Sequence, residues 1–183
     1  MIIVKDIKYW LHKNFRIFQK YKQIGENCTI AKSSRISNEK YMIIGNEANI
    51  GEYSVLSCYD VYRGKKLNPS LQIGDHFFAR ERLTILCAGE IRIGNNVTCG
   101  GYVFISDENH GIDASTPNYL DNDLEVKNIT IQNGVWIGEK VIILPGVSIG
   151  EKSIIGAGSV VTKSIPSYVV AAGNPCRVIR ELS

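Results

Sequence analysis

The sequence predicts an all-β protein wound as a parallel β-helix, and three observations carry that prediction. Aliphatic residues recur at every sixth position, without a break from Ile131 through Ile137, Ile143, Ile149 and Ile155 to Val161. Four residues after each comes a small or β-branched side chain: Val135, Val141, Val147, Ser153, Ser159 and Ile165. Glycine follows the aliphatic directly at Gly138, Gly150 and Gly156. An α-helix needs apolar residues three and four apart, so a strict period of six excludes one. Short β-segments turning a corner every six residues satisfy the pattern, each rung burying its aliphatics against the rungs above and below. The glycines are expected where the chain must bend or pack closely.

The elements follow in chain order. Residues 1–23 precede the beat and place Ile7, Leu11, Phe18 and Tyr21 along one stripe, with Lys5, Lys8, Lys13, Arg16, Lys20 and Lys22 around it. That pattern predicts a short amphipathic helix over 4–22 that caps the open end of the stack. Docking on a membrane surface is the sharper reading of the same stripe, and basic residues beside a packed stripe more often form a solvated face. The β-helix occupies 24–183. Its beat runs as "IGENCTIAKSSR" from Ile24, "IGNEANIGEYSV" from Ile44 and "IGDHFF" from Ile73, with Ile85 two steps on. It returns as "IGNNVTCGGYVFISDENH" from Ile93. Residues 57–72, "SCYDVYRGKKLNPSLQ", read as a loop or bulged coil. Residues 107–128 form a longer interruption, rich in Asp and Asn.

Composition narrows the function. A chain of 183 residues is one domain with a real core, and 44% hydrophobic with 21% charged residues is ordinary globular composition. A net charge of +3 is too small to argue for nucleic acid, although a phosphate-bearing metabolite needs only a few placed cations. The cysteines (Cys28, Cys58, Cys87, Cys99, Cys176) are odd in number, scattered and without a CxxC pair. Reduced thiols and no metal site are expected, and with no signal peptide at the start, a cytoplasmic location.

The run "IGEKVIILPGVSIGEKSIIGAGSVV", the loop bearing "SDENHG" and the ending "AAGNPCRVIREL" resemble the hexapeptide-repeat acyltransferases. Within them the likeness is to the galactoside, maltose and polysaccharide O-acetyltransferase branch. It covers most of 24–182 and is most specific from Gly134 onwards. The resemblance implies a left-handed β-helix with three flat sides, a homotrimer with active sites between subunits, and acetyl-coenzyme A as acyl donor. It further implies that a histidine beside the base of the interrupting loop, here His110, is the general base.

The chemistry agrees with that position. An alcohol is a poor nucleophile and must lose its proton as it attacks a thioester. A neutral imidazole takes that proton near pH 7, and a backbone N–H commonly steadies the tetrahedral oxyanion. His12 lies in the leading segment and His76 in a repeat corner, which leaves His110. A lone histidine is more often structural, but this one sits on a polar loop and coincides with the family motif. Asp107 would orient the imidazole or touch the acceptor, or else cap the loop. By resemblance, Trp136 lies by the reacting centre and the pantetheine arm, Ala157, Thr162 and Lys163 contact coenzyme A, and Arg177 and Arg180 meet its adenosine phosphates. No Ser or Cys nucleophile stands beside a base, so direct attack without an acyl-enzyme is expected.

Two positions depart from the family pattern. Glu139 stands where relatives have a small residue, and facing the groove it would repel the donor's phosphates, so only its backbone is expected to take part. Arg80, in "FFARERL", falls near an acceptor-touching asparagine and would suit an acidic or nucleotide-linked sugar. The leading reading is O-acetylation of a sugar hydroxyl in surface-polysaccharide or glycan modification. An N-acetyltransferase on a nucleotide-linked amino sugar, or an acetyltransferase on an antibiotic hydroxyl, keeps fold and donor. A carbonic anhydrase on this fold needs three convergent histidines, and a non-catalytic scaffold would leave the histidine, tryptophan and basic ending unexplained.

Overall fold

The computed structural model describes residues 21–182. The helix expected over 4–22, with its capping and membrane readings, falls outside them except for its last two residues. From Gln23 onwards, strands of two to five residues lie on three sheets of six, eight and six members. These sheets are the three faces of a parallel β-helix, and every neighbouring pair on them is parallel except Val169–Ala172 with the closing strand Arg177–Glu181.

The period of six is a stacking register. On the first face, Ile24, Ile44, Ile73, Ile93, Ile131 and Ile149 lie directly over one another from coil to coil. On the third face Leu56, Ile85, Ile105, Ile143 and Val161 do the same. All except Ile24, at the open end, are almost wholly buried. Burying each such side chain contributes roughly 1.5–3 kcal/mol, so one mispaired coil would forfeit several contacts at once.

Bending and close packing fall to different corner residues. A Cβ at Gly94 would lie 2.8 Å from the backbone nitrogen of Asn133 in the next coil, so the glycine there serves the close approach. Positive φ is taken two residues later by side-chain-bearing residues, as at His76 (55°) and Asn96 (56°). Asn46, Asp75, Asn95 and Asn133 then tie the coils along that edge. Each accepts through its side-chain oxygen from a backbone N–H one coil below, at 2.6–2.9 Å.

Both interruptions leave the stack at the edge between the third and first faces. Each is more ordered than a loop. Residues 59–69 contain an antiparallel pair, Val61–Tyr62 with Lys65–Lys66. In the longer excursion Glu108–His110 pairs antiparallel with Leu124–Val126, and a 3₁₀ turn spans Tyr119–Asp121. A single plain corner at Ala88 and Gly89 separates them, so the two excursions lie side by side.

Candidate active site

His110 ends the outgoing strand of the longer excursion and is exposed. Its Nδ1 lies 3.1 Å from the hydroxyl of Tyr62, and the two rings are 5.7 Å apart at 50°. The Tyr62 hydroxyl also donates to the carbonyl of Leu120 at 2.9 Å, and Arg63 Nη1 donates to that carbonyl at 3.0 Å. Arg63 pairs with Asp121 at 2.6 Å and Lys65 with Asp123 at 2.5 Å. The shorter hairpin therefore clasps the longer excursion and holds one side of the imidazole, while Nε2 has no hydrogen-bond partner among the described residues. The Asp121 contact holds the Arg63 guanidinium even more firmly protonated than usual.

Asp107 makes no hydrogen bond to His110 among the described residues, and of the roles expected for it the structure displays the loop-capping one. It is fully buried, with Oδ1 accepting from Ala88 N–H at 2.7 Å and Oδ2 from Gly89 N–H at 2.9 Å. Its carboxylate closes the corner beneath the loop, which is the capping role. Burial pushes its pKa up, and the two backbone donors pull against that shift.

The expected donor residues divide between two edges. Trp136 stands 54% exposed on the second face. Ala157 lies at the corner from the second to the third face, and a Cβ on Gly138 would come within 2.6 Å of its backbone nitrogen. Arg177 and Arg180 are exposed on the closing strand beside the second face. Thr162 and Lys163 instead follow Val160–Val161 at the edge from the third to the first face, two corners beyond the His110 excursion. Lys163, Arg177 and Arg180 make no ion pair among the described residues. Within one chain His110, Thr162 and Lys163 lie along the same edge, and Trp136, Ala157, Arg177 and Arg180 lie on or beside the second face.

Arg80 does not stand beside His110 in the same chain. It lies at the edge between the second and third faces, where its guanidinium bonds the carboxylate of Glu139 and approaches Glu81 at 3.4 Å. The Glu139 side chain thus faces Arg80, and the two departures from the family pattern neutralise each other. His76, at yet another edge, pairs with Glu47.

Tyr62 and Arg63 were not singled out by the sequence. One signal marks them: both interruptions begin just after an inward residue of the same face, Leu56 and Ile105, which register with Ile85 between them. Insertions at one edge in nearby coils must meet.

A stack of six-residue rungs interrupted by inserted loops is the architecture of the hexapeptide-repeat proteins. The model for bacterial transferase hexapeptide (six repeats) matches residues 128–163. A galactoside O-acetyltransferase of Escherichia coli (strain K12) is 46% identical over 114 residues, which is 62% of this chain and 55% of that protein. The crystal structure of a maltose O-acetyltransferase from Clostridium difficile 630 superposes with a TM-score of 0.65 at 30% identity, over 93% of this chain and 74% of that one. A point mutant of AntD, an N-acyltransferase from Bacillus cereus, solved with dTDP-4-amino-4,6-dideoxyglucose and coenzyme A, shares the fold at a TM-score of 0.75 and 22% identity, over 93% and 89% of the two chains. The chain belongs to the hexapeptide-repeat acyltransferase family, and its fold is the left-handed parallel β-helix of that family. It spans little more than half the length of the galactoside enzyme it matches.

Proposed function

We propose that this chain is an acetyl-coenzyme A-dependent O-acetyltransferase that acts on a sugar hydroxyl, in the cytoplasm, in surface-polysaccharide or glycan modification. The observation that carries the reading is His110: an exposed imidazole clamped at Nδ1 and open at Nε2, on a loop of a family acyltransferase scaffold. The acceptor hydroxyl gives its proton to His110 as its oxygen attacks the thioester carbonyl. The tetrahedral intermediate collapses, the C–S bond breaks, and the imidazolium returns the proton to the departing thiolate. Trp136 and Ala157 would take the pantetheine arm, and Thr162, Lys163, Arg177 and Arg180 the donor's polar groups and phosphates.

Those groups lie on two edges of one chain, which favours a homotrimer in which the His110 edge of one copy faces the Trp136 edge of the next. Arg80 would then enter the cleft from the neighbouring copy, at an acceptor bearing a carboxylate or phosphate.

The test is thiol release from acetyl-coenzyme A against neutral, acidic and amino sugars, free and nucleotide-linked, with His110→Ala alongside. One hydroxyl acceptor is expected to stimulate release, and the variant to lose about 10²–10⁴-fold. Stimulation by an amino sugar alone would move the assignment to N-transfer. No stimulation together with no coenzyme A binding by calorimetry would overturn the enzyme reading.

A further inference from the structure

We propose that Tyr62 is a positioning residue that fixes the tautomer of His110, holding the proton on Nδ1 and leaving the lone pair on Nε2. The inference rests on the reading of His110 as the base, and it names which nitrogen does the work. Leu120 O receives the Tyr62 hydroxyl at 2.9 Å and Arg63 Nη1 at 3.0 Å. The hydroxyl owns a single proton. Were that proton turned to His110 instead, two oxygens would face each other at 2.9 Å with no hydrogen between them. Directed to Leu120, it leaves the phenol oxygen as an acceptor toward His110, 3.1 Å away. An acceptor there requires an Nδ1–H donor, so in neutral His110 the basic lone pair sits on Nε2, the exposed nitrogen.

The arrangement survives the proton transfer. When Nε2 takes a proton, Nδ1–H still donates to Tyr62, so no group must turn during turnover. This role for the second ring nitrogen is filled by a neutral phenol from a different excursion, 48 residues away in sequence. The Arg63–Asp121 and Lys65–Asp123 pairs keep that excursion in place.

The test is the ¹⁵N spectrum of histidine-labelled full-length protein at a pH where the ring is neutral, with His110 assigned by the signals lost in His110→Gln. Expected is a protonated Nδ1 and an unprotonated Nε2. In Tyr62→Phe, which keeps the ring contact but not the hydroxyl, the proton moves toward Nε2, the site isolated histidines favour. kcat is then expected to fall about three- to tenfold with KM for acetyl-coenzyme A unchanged, the share of one hydrogen bond. A proton on Nε2 in the wild-type protein, or a tautomer unmoved in Tyr62→Phe, overturns the inference. The wild-type spectrum needs no variant to fold. If His110→Gln keeps full activity while the tautomers are as expected, the reading of His110 as base fails and the assignment of its proton stands.

Discussion

Arg80 and Glu139 meet across Gly100, two coils apart on the edge between the second and third faces. Gly100 makes room for the contact, since a Cβ there would fall 2.8 Å from Glu139 Cγ. The adjoining Gly101 leaves space for Glu81, whose Oε1 would lie 2.8 Å from a Cβ on it. Each charge alone looks out of place for a phosphate-bearing donor or a neutral sugar. Together they cancel.

Replacing Glu139 by Gln is therefore expected to alter specificity more than stability. Both side chains are about half exposed, and such pairs contribute about 0–1 kcal/mol. Urea denaturation should shift by no more than that. KM for carboxylate- or phosphate-bearing acceptors is expected to fall several-fold as Arg80 is released, with neutral acceptors unchanged. An equal change for both acceptor classes would place Arg80 away from the acceptor.

Asp107→Asn is expected to destabilise the fold by about 1–3 kcal/mol, because the amide can accept from only one of the two N–H groups of Ala88 and Gly89. The loss should also depend on pH. Burial raises the folded-state pKa of Asp107 above its unfolded value, so the folded chain holds this proton more tightly. That contribution is full at low pH and is lost as pH rises through the folded pKa. The stability gap between wild type and variant should accordingly narrow from about pH 4 upward, as read by urea denaturation across the range. A gap that widens toward neutral pH would show that the two N–H donors outweigh burial.

Removing the clasp should loosen one excursion and leave the stack intact. The double variant Arg63→Ala, Lys65→Ala loses the pairs to Asp121 and Asp123 but touches no inward-facing residue. Global stability is expected to stay unchanged, while hydrogen exchange over 108–126 accelerates. Raising the salt concentration toward 1 M should reproduce part of that acceleration in the wild type, since exposed pairs are screened. Unchanged exchange would mean that the antiparallel pairing of Glu108–His110 with Leu124–Val126 holds the excursion alone.

The inward set of this fold was readable in the chain because each rung is six residues long and each face repeats directly above itself. Ile131, Ile143 and Ile155 had to be buried once the period was recognised, and they are. The two excursions were also legible as breaks in the beat, and so was His110 as the histidine on one of them. Corner chemistry was less so. The glycines were expected to bend or pack, and at Gly94 the need is space rather than φ, a distinction that depends on the coil above.

The period of six, by itself, determined the parallel β-helix, its buried ladder and the residue that stands on the loop. It did so because stacking makes every local choice repeat in space. Only the tertiary structure decided that Tyr62 and not Asp107 hydrogen-bonds His110, that Asp107 closes a corner, and that Arg80 pairs with Glu139. Those contacts run across the stack, between coils separated by insertions of unequal length, and a repeat that has been interrupted no longer counts residues to their partners.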